Sequence, residues 1–302
     1  MTDTQNEVFK TPVNKIRLFE HGAPGSQNFK LTRKYYTEDM PDGRVKHIVQ
    51  NITDPDIVPY IPDGIGNSTD RQRIPAVLII PGGAFRRLVY NFEGEDVAKW
   101  LNSMGIAAFV LECRLPSDEH DNAEDVPLID AMRAMRVIRG RAQEFGIDEA
   151  KIGVMGFSAG GFMAALLSTA YESDVYADYK YKDEYDKLSA RPDFAVCSYP
   201  VISIDDCIEA GKRYMSEEQV LERISDSKAK ILHKYNPDKL VRPDMPPVFI
   251  CETDDDRTTL SENSVGFYMA ARKAGVSAEL HIFRTGGHGY GCGDDFAQTG
   301  EW

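Results

Sequence analysis

The sequence predicts an α/β protein in which a mostly parallel sheet is covered by helices on both faces. Apolar runs of strand length recur along the chain, at residues 76–80, 106–111, 151–155, 194–198, 248–251 and 278–283. Segments between them carry apolar residues at helical spacing, at residues 93–104, 127–145 and 261–274. Continuous apolar runs are typical of strands buried on both faces, and their alternation with helices indicates parallel connections.

The N-terminal quarter of the chain has a different pattern. Residues 1–44 are polar and rich in turns, and residues 44–52 carry the first strong strand signal. Residues 57–61 are predicted to pair with that strand as a hairpin, giving the sheet an antiparallel start. A loop rich in Gly, Asn, Ser and Asp follows at 63–73. We therefore expect one domain over residues 1–302, with antiparallel strands and loops in residues 1–74.

Two stretches interrupt the alternation of strands and helices. Residues 171–191 are charged and rich in tyrosine, and residues 202–244 form a mixed helical and loop insertion between two strands. Ligands of such sheets bind beyond the carboxyl ends of the strands, where an insertion can fold over them. The insertion at 202–244 is expected to cover the site in part, as a partial lid. The first stretch fits a lid and a surface excursion equally well.

Bulk properties exclude several classes of partner. The chain has 302 residues and a net charge of −13, which disfavours nucleic acid and anionic membranes and favours a small, neutral or weakly polar substrate. Its five cysteines form no CxxC pair, which indicates a reducing compartment rather than a disulfide framework. Residues 1–7 lack the basic and apolar regions of a secretory signal, so we expect a cytoplasmic protein. A homo-oligomer is left open.

The strongest single motif is Gly-x-Ser-x-Gly at residues 156–160. It follows the apolar strand 151–155 and precedes the small-residue helical run 162–167. A serine on a sharp strand-to-helix turn is exposed for attack, and the helix N-terminus favours the negative charge that forms there. The motif therefore predicts Ser158 as a nucleophile, which needs a base and an orienting acid.

Three histidines follow the serine and are candidates for the base. His281 lies within an apolar strand and His233 lies in the insertion, so neither has the context of a catalytic base. His288 lies in the glycine-rich segment 286–290, directly after the last predicted strand. Such a loop allows an imidazole to reach back to the serine, and we therefore predict His288 as the base.

The acid is expected after the preceding strand. That strand leads into three consecutive aspartates, Asp254, Asp255 and Asp256. One of them would accept a hydrogen bond from the second ring nitrogen and stabilise the imidazolium. Because all three carry the same carboxylate, their chemistry alone does not show which of them is the acid.

An oxyanion hole needs backbone N–H groups directed at the developing charge. The residue after the nucleophile, Ala159, supplies one such amide. Others are expected from the loop 81–85, which reads Pro-Gly-Gly-Ala-Phe and leaves its amides open. We predict the amides of Gly83, Ala84 and Ala159 as the donors.

Several further blocks stand in order along the chain. They are residues 22–25, 51–55, 81–85, 93–101, 114–116, 127–131, 153–161, 198–202, 262–264 and 286–290. Together they resemble the esterase and lipase-like α/β-hydrolases that include acetyl xylan esterase-type carbohydrate esterases. The resemblance implies the α/β-hydrolase fold, with Ser158 as nucleophile, His288 as base and Asp256 as acid. Asp255 remains the alternative acid.

The resemblance implies a serine esterase for short-chain, acetyl esters, on xylo-oligosaccharides or other sugars, acting through an acyl-enzyme. The histidines and acids show no metal-ligand spacing, so we expect no metal and no organic cofactor. A peptidase or amidase of the same fold is the alternative enzyme. A hydrolase-fold binding protein without turnover is a third hypothesis, which the presence of all three triad residues disfavours.

Overall fold

A mostly parallel sheet forms the centre of the computed structural model, which describes residues 9, 12–65, 73–118, 120–213, 215–216, 218–220 and 230–293. The strands, in chain order, are β1 (Ile16–Arg17), β2 (Lys34–Asp39), β3 (Val45–Gln50), β4 (Asp56–Tyr60), β5 (Ile74–Ile80), β6 (Leu88–Val89), β7 (Ala107–Glu112), β8 (Ile147–Phe157), β9 (Ala195–Ser198), β10 (Val248–Thr253) and β11 (Ala278–Phe283). The central sheet has the order β1-β4-β7-β5-β8-β9-β10-β11. Its strands from β7 to β11 in that order pair in parallel, and β4 and β1 pair antiparallel at one edge. The predicted fold class is confirmed.

The predicted hairpin between residues 44–52 and 57–61 is wrong. Strand β3 pairs instead with β2 and β6 in a separate three-stranded antiparallel sheet. Strand β4 pairs with β7 in the central sheet, where Ile57 lies opposite Leu111. Between β3 and β4, Asn51 has a left-handed backbone (φ 57°), and the N–H of Ile52 donates to Asp118. This turn directs the chain from one sheet to the other, so the two strands cannot pair.

Helices connect the parallel strands. They are α1 (Asp96–Ser103), α2 (Val126–Gly140), α3 (Ala142–Phe145), α4 (Ala159–Ala170), α5 (Ile204–Lys212), α6 (Lys230–Lys234) and α7 (Ser261–Lys273). A π-helical turn at Asn91–Glu95 leads into α1. The predicted helix 127–145 is interrupted at Arg141, which separates α2 from α3. No helix in the described ranges is long and apolar enough to cross a membrane.

The two stretches that interrupt the alternation differ in how they pack. In the 171–191 stretch, Asp183 and Asp186 pair with Arg133 of α2, which ties this surface segment to that helix. In the 202–244 insertion, Lys234 pairs with Asp125 at the start of α2. Residues 214, 217 and 221–229 of the insertion lie outside the described residues, and its role as a partial lid stays a prediction.

A buried ion pair joins the exit of β7 to α2. The side chains of Arg114 and Asp130 are both fully buried, and the carboxylate accepts hydrogen bonds from Nη2 (2.7 Å) and from the Arg114 backbone N–H (2.8 Å). Removing one partner of such a pair leaves an uncompensated charge in the interior.

We expect Asp130→Ala to lower the free energy of unfolding by about 3–5 kcal/mol, because Arg114 loses its counter-charge without gaining access to water. Guanidinium denaturation measures the change. Asp54→Ala is the matched control, since its pair with Arg17 is about half exposed on both sides (49% and 56%). The control should lose less than about 1 kcal/mol. Equal losses in the two variants would contradict the prediction.

Candidate active site

The serine motif forms a strand-to-helix turn at the centre of the sheet. Strand β8 ends at Phe157 and α4 begins at Ala159, so Ser158 is the single residue between them. Ser158 has φ 53° and ψ −117°, a conformation that costs energy for a residue with a side chain. Its backbone N–H donates to the carbonyl of Ser198 at the end of β9 (3.0 Å), which fixes the turn against the neighbouring strand.

The flanking glycines are required by close packing of the backbone. A Cβ atom on Gly156 would lie 2.0 Å from the carbonyl oxygen of Gly160. A Cβ atom on Gly160 would lie 2.0 Å from the carbonyl oxygen of Ile80, at the end of β5. The strand and the helix therefore approach each other closely only because both positions are glycine.

A hydrogen-bond chain runs from the serine through His288 to Asp256. The Nδ1 atom of His288 lies 2.6 Å from Oδ2 of Asp256, and its Nε2 lies 2.9 Å from Oγ of Ser158. An ionised carboxylate only accepts hydrogen bonds, so Nδ1 carries the proton and Nε2 is free to accept from the serine hydroxyl. The structure thus brings the three predicted residues together.

Asp256 is held ionised in a buried position. Burial alone would raise the pKa of this carboxyl group, but hydrogen bonding to His288, the charge of His288 and the backbone N–H groups of Thr258 and Thr259 hold its pKa below the usual range. Those two amides donate to Oδ1 (2.7 and 3.0 Å), and the Thr259 hydroxyl donates to Oδ2 (2.8 Å). The carboxylate therefore has little freedom to turn away from the imidazole.

Asp255, the alternative acid, has a different position. It is exposed, and its Oδ1 accepts the N–H groups of Gly286 (3.0 Å) and Gly287 (2.8 Å). It therefore binds the loop that carries His288 without contacting the imidazole itself. Asp254 is also exposed and bonds through its backbone N–H to Phe283.

The other two candidate histidines lie away from this chain of hydrogen bonds. His281 in β11 is partly exposed and contacts Glu279 (2.7 Å). His233 lies in α6, near the end of the insertion. Neither has a described hydrogen bond to the serine or to the aspartate cluster.

The loop after β5 presents backbone amides beside the serine. Gly83, Ala84 and Phe85 have consecutive positive φ angles (137°, 57° and 58°), so the backbone of this loop turns sharply. In the described part of the chain, the N–H groups of Gly83 and Ala84 have no hydrogen-bond acceptor. A Cβ atom on Gly82 would lie 3.0 Å from Cβ of Ser158, so the loop lies against the serine turn.

Two buried residues of the site were not predicted from the sequence. Glu93 accepts the N–H of Gly82 through Oε2 (2.8 Å) and the hydroxyl of Tyr199 through Oε1 (3.0 Å). The side chain of Tyr199 packs edge-on to the His288 ring, with the ring centroids 5.1 Å apart. Tyr199 directly follows β9, whereas Glu93 lies among the polar and charged residues of segment 91–96, where nothing in the sequence distinguishes it. No local pattern joins these two positions.

A second buried carboxyl group lies behind Asp256. Glu252 is fully buried at the end of β10 and accepts hydrogen bonds from the Thr253 N–H (3.0 Å) and the Ser264 hydroxyl (3.3 Å). Burial first, and then the negative charge of Asp256, raise the pKa of Glu252 well above its usual value. The neutral form of Glu252 is thereby favoured beside an ionised Asp256, since two like charges in one buried site repel each other.

Within the ranges that the structure describes, no group of three or more His, Cys, Asp or Glu side chains could hold a metal ion. The histidine nitrogens of the site are both engaged by Asp256 and Ser158.

The sequence of the chain is similar to a known protein family and to individual members of known function. The BD-FAE family model matches residues 65–270. An acetylxylan esterase from Xylanibacter ruminicola is 31% identical over 223 residues, which is 73% of this chain and 42% of that protein. The chain spans less than half the length of the curated relatives it matches.

Solved structures include similar folds over most of the chain. An acetyl ester-xyloside bifunctional hydrolase from Caldicellulosiruptor lactoaceticus has a TM-score of 0.67 and 36% identity, over 95% of this chain and 92% of that one. The butyrate-bound esterase Est2 from Thermogutta terrifontis has a TM-score of 0.60 and 26% identity, over 78% of this chain and 81% of that one.

Proposed function

Because this chain belongs to the BD-FAE family, we propose that it is a serine esterase that hydrolyses acetyl esters, with acetylated xylo-oligosaccharides as the substrate class. The similarity to an acetylxylan esterase and to an acetyl ester-xyloside hydrolase supports this substrate class. The single observation that carries the mechanism is the hydrogen-bond chain from Ser158 through His288 to Asp256.

In the first step, Oγ of Ser158 attacks the acetyl carbonyl carbon. Nε2 of His288 takes the hydroxyl proton, which makes the nucleophile reactive at neutral pH. Asp256 orients the imidazole and stabilises the imidazolium that forms. The short contact to Nδ1 and the low pKa of Asp256 support this role.

The carbonyl oxygen becomes negatively charged in the tetrahedral intermediate. The N–H groups of Gly83, Ala84 and Ala159 stabilise this charge, since amides fixed in advance cost no reorganisation when the charge appears. Ala159 is also the first residue of α4, where the helix dipole favours an anion.

Collapse of the intermediate releases the sugar alcohol, whose oxygen takes the proton from His288. The acetyl group remains bound to Oγ of Ser158 as an ester. A water molecule then attacks this acyl-enzyme, with His288 accepting a proton from the water and passing it to Oγ as acetate leaves. Each turnover consumes one ester and one water and restores the free serine.

A panel of p-nitrophenyl acetate, acetylated xylo-oligosaccharides and acetyl anilides tests the proposed function. We expect hydrolysis of the two ester classes and little hydrolysis of the anilides. Anilides cleaved as fast as esters would favour the amidase alternative. Absence of any turnover would favour a binding protein.

Acyl-chain length is expected to control the rate strongly. A cavity of about 10 Å³ lies beside the loop after β5, lined by Gly82, Ala159 and apolar side chains that include Phe85, Leu115 and Met163. Gly82 and Ala159 of this lining adjoin Ser158, so we propose this cavity as the acyl pocket, and space for about one water-sized group favours an acetyl methyl over longer chains. We expect kcat/KM to fall about tenfold or more from p-nitrophenyl acetate to the hexanoate.

Met163→Ala enlarges this cavity and should raise the hexanoate rate relative to the acetate rate. Met135→Ala is the matched control, because Met135 is equally buried but does not line the cavity. A wild-type preference for long acyl chains would contradict the assignment and move the protein toward lipases.

We propose that the protein is located in the cytoplasm. Cys113, Cys197, Cys251 and Cys292 are free thiols in the structure, which supports a reducing compartment such as the cytoplasm. There the natural substrates are imported oligosaccharides rather than intact polymer. Cell fractionation with an antibody to the protein tests this location.

A further inference from the structure

Glu93 lies beneath the loop after β5, in the π-helical turn that precedes α1. Its side chain is buried, with 5% exposure, yet both carboxylate oxygens are used. Oε2 accepts the N–H of Gly82, the residue next to the proposed oxyanion donors (2.8 Å), and Oε1 accepts the hydroxyl of Tyr199 (3.0 Å). A carboxylate that accepts donors from two separate loops fixes their relative position.

Tyr199 extends this connection to the loop that carries His288. The phenol oxygen accepts the N–H of Gly291 (3.1 Å) while its hydroxyl donates to Glu93. The ring is fully buried and lies edge-on to both His288 and Tyr290. Tyr199 also has a left-handed backbone (φ 36°), so the surrounding structure imposes its position.

The turn that holds Glu93 is itself anchored. Asn91 accepts the N–H of His47 (3.0 Å) and donates to the carbonyl of Val45 (2.8 Å), which ties the turn to β3. On its other side, a Cβ atom on Gly291 would lie 2.8 Å from the carbonyl oxygen of Phe92. The histidine loop therefore packs directly on this turn.

We propose that Glu93 and Tyr199 are positioning residues that hold the oxyanion loop and the histidine loop in one fixed arrangement for catalysis. This inference rests on the proposed esterase function. The network Gly82–Glu93–Tyr199–Gly291 joins three loops from three different strands. Loosening it displaces the amides of Gly83 and Ala84 relative to Ser158 without removing any group that contacts the substrate.

A carboxylate is required at residue 93 because both groups that face it are donors. A glutamine has the same shape but offers one oxygen and one amide group, so either Gly82 or Tyr199 meets a second donor. Burial raises the pKa of Glu93, while the charge of His288 and the hydrogen bonds from Tyr199 and Gly82 oppose that rise.

The test compares Glu93→Gln and Tyr199→Phe with wild type on p-nitrophenyl acetate, with rates expressed per active site titrated by a fluorophosphonate. We expect Glu93→Gln to lower kcat about 10- to 100-fold with KM changed less than about threefold, a smaller loss than removal of an oxyanion donor gives. Tyr199→Phe should lower kcat about tenfold, because Glu93 and Gly291 each lose a partner. Affinity for a trifluoromethyl ketone, which forms an oxyanion on Ser158, should fall in parallel with kcat.

Glu112→Gln and Tyr60→Phe are the matched controls. Glu112 is a fully buried carboxylate that binds Lys15, and Tyr60 is a partly buried tyrosine that binds the hydroxyl of Tyr90. Both variants should keep wild-type kcat per titrated site, even where the melting temperature falls.

Wild-type kcat and ketone affinity in Glu93→Gln would overturn the inference while leaving the esterase intact. The inference would also be overturned if Glu93→Gln lowered the fraction of titratable active sites but left kcat per titrated site unchanged, because that result would show an effect on stability alone. A wild-type protein that hydrolyses no ester in the same assay would overturn the proposed function as well. Partial recovery of kcat in Glu93→Asp, which keeps the carboxylate, would support the inference further.

Discussion

Ser158→Ala is expected to lower kcat on p-nitrophenyl acetate by about 10⁴- to 10⁶-fold. The variant removes the atom that we propose becomes acylated, so water would have to attack the ester without covalent catalysis. The proposed oxyanion donors, which are the amides of Gly83, Ala84 and Ala159, remain in this variant and are expected to support the residual rate. The folded structure should tolerate the change, because removing Oγ leaves the backbone N–H of residue 158 bonded to Ser198.

Covalent labelling provides the second measurement for this variant. A fluorophosphonate should add once to the wild-type protein, at residue 158 in a peptide map, and not to Ser158→Ala. Ser168→Ala is the matched control, since the hydroxyl of this buried serine of α4 donates within its own helix, to the carbonyl of Ala164 (2.7 Å). It should label and turn over at the wild-type rate. Labelling at another serine would reject Ser158 as the nucleophile.

The predicted positions of the parallel strands followed from short-range pattern. Each apolar run from residues 76–80 to 278–283 became a strand. The runs that became β5, β7, β8, β9 and β10 are largely buried, since a strand covered on both faces has few polar positions, whereas the edge strand β11 has no buried residue. The partner of residues 44–52 was not predictable in the same way. The alternation of apolar and polar residues in this strand is compatible with any antiparallel neighbour. Which strand it pairs with depends on the turn at Asn51, and this turn is fixed by a hydrogen bond from Ile52 to the distant Asp118.

The buried faces of the helices were also only partly predictable from the sequence. The helical spacing of segment 93–104 places Val97, Trp100, Leu101 and Met104 on one face. Val97 and Leu101 are buried, but Trp100 in α1 and Met104 directly after it are 37% and 50% exposed. Apolar residues at helical spacing form a stripe along the helix that is wide enough for residues at its edge to be exposed to solvent. In α7 the buried face contains Asn263 and Ser264, which bond to distant backbone and to Glu252. Polar residues with buried partners cannot be distinguished from surface residues by periodicity.

The residues of the candidate site also differ in how far a local sequence pattern predicts them. Ser158 and His288 each stand in a local sequence context, a strand-to-helix glycine motif and a glycine-rich loop after the last strand. Glu93 and Tyr199 act through each other across 106 positions of sequence, and nothing local marks them as partners. For the proposed acid, the sequence predicted the loop after β10 that contacts His288, but it could not choose among neighbouring aspartates that share the same chemistry.

Asp256→Asn should lower kcat about 10⁴-fold, because the asparagine amide favours the wrong histidine tautomer and leaves the imidazolium unstabilised. The amides of Thr258 and Thr259 continue to hold the side-chain oxygen, so the loop keeps its shape. Measurement of kcat and KM on p-nitrophenyl acetate should show the loss in kcat, with KM nearly unchanged.

Asp255→Asn is the sharpest control, since it is the same substitution one residue away. The side-chain oxygen of asparagine can still accept the N–H groups of Gly286 and Gly287, so the histidine loop keeps its anchor. We expect a loss of kcat below about fivefold. The two aspartates share a side chain and a loop but contact different groups, so the ratio of their effects separates orientation of the imidazole from anchoring of its loop. Equal losses would mean that loop anchoring, rather than direct orientation of the imidazole, explains the need for an acid at this loop.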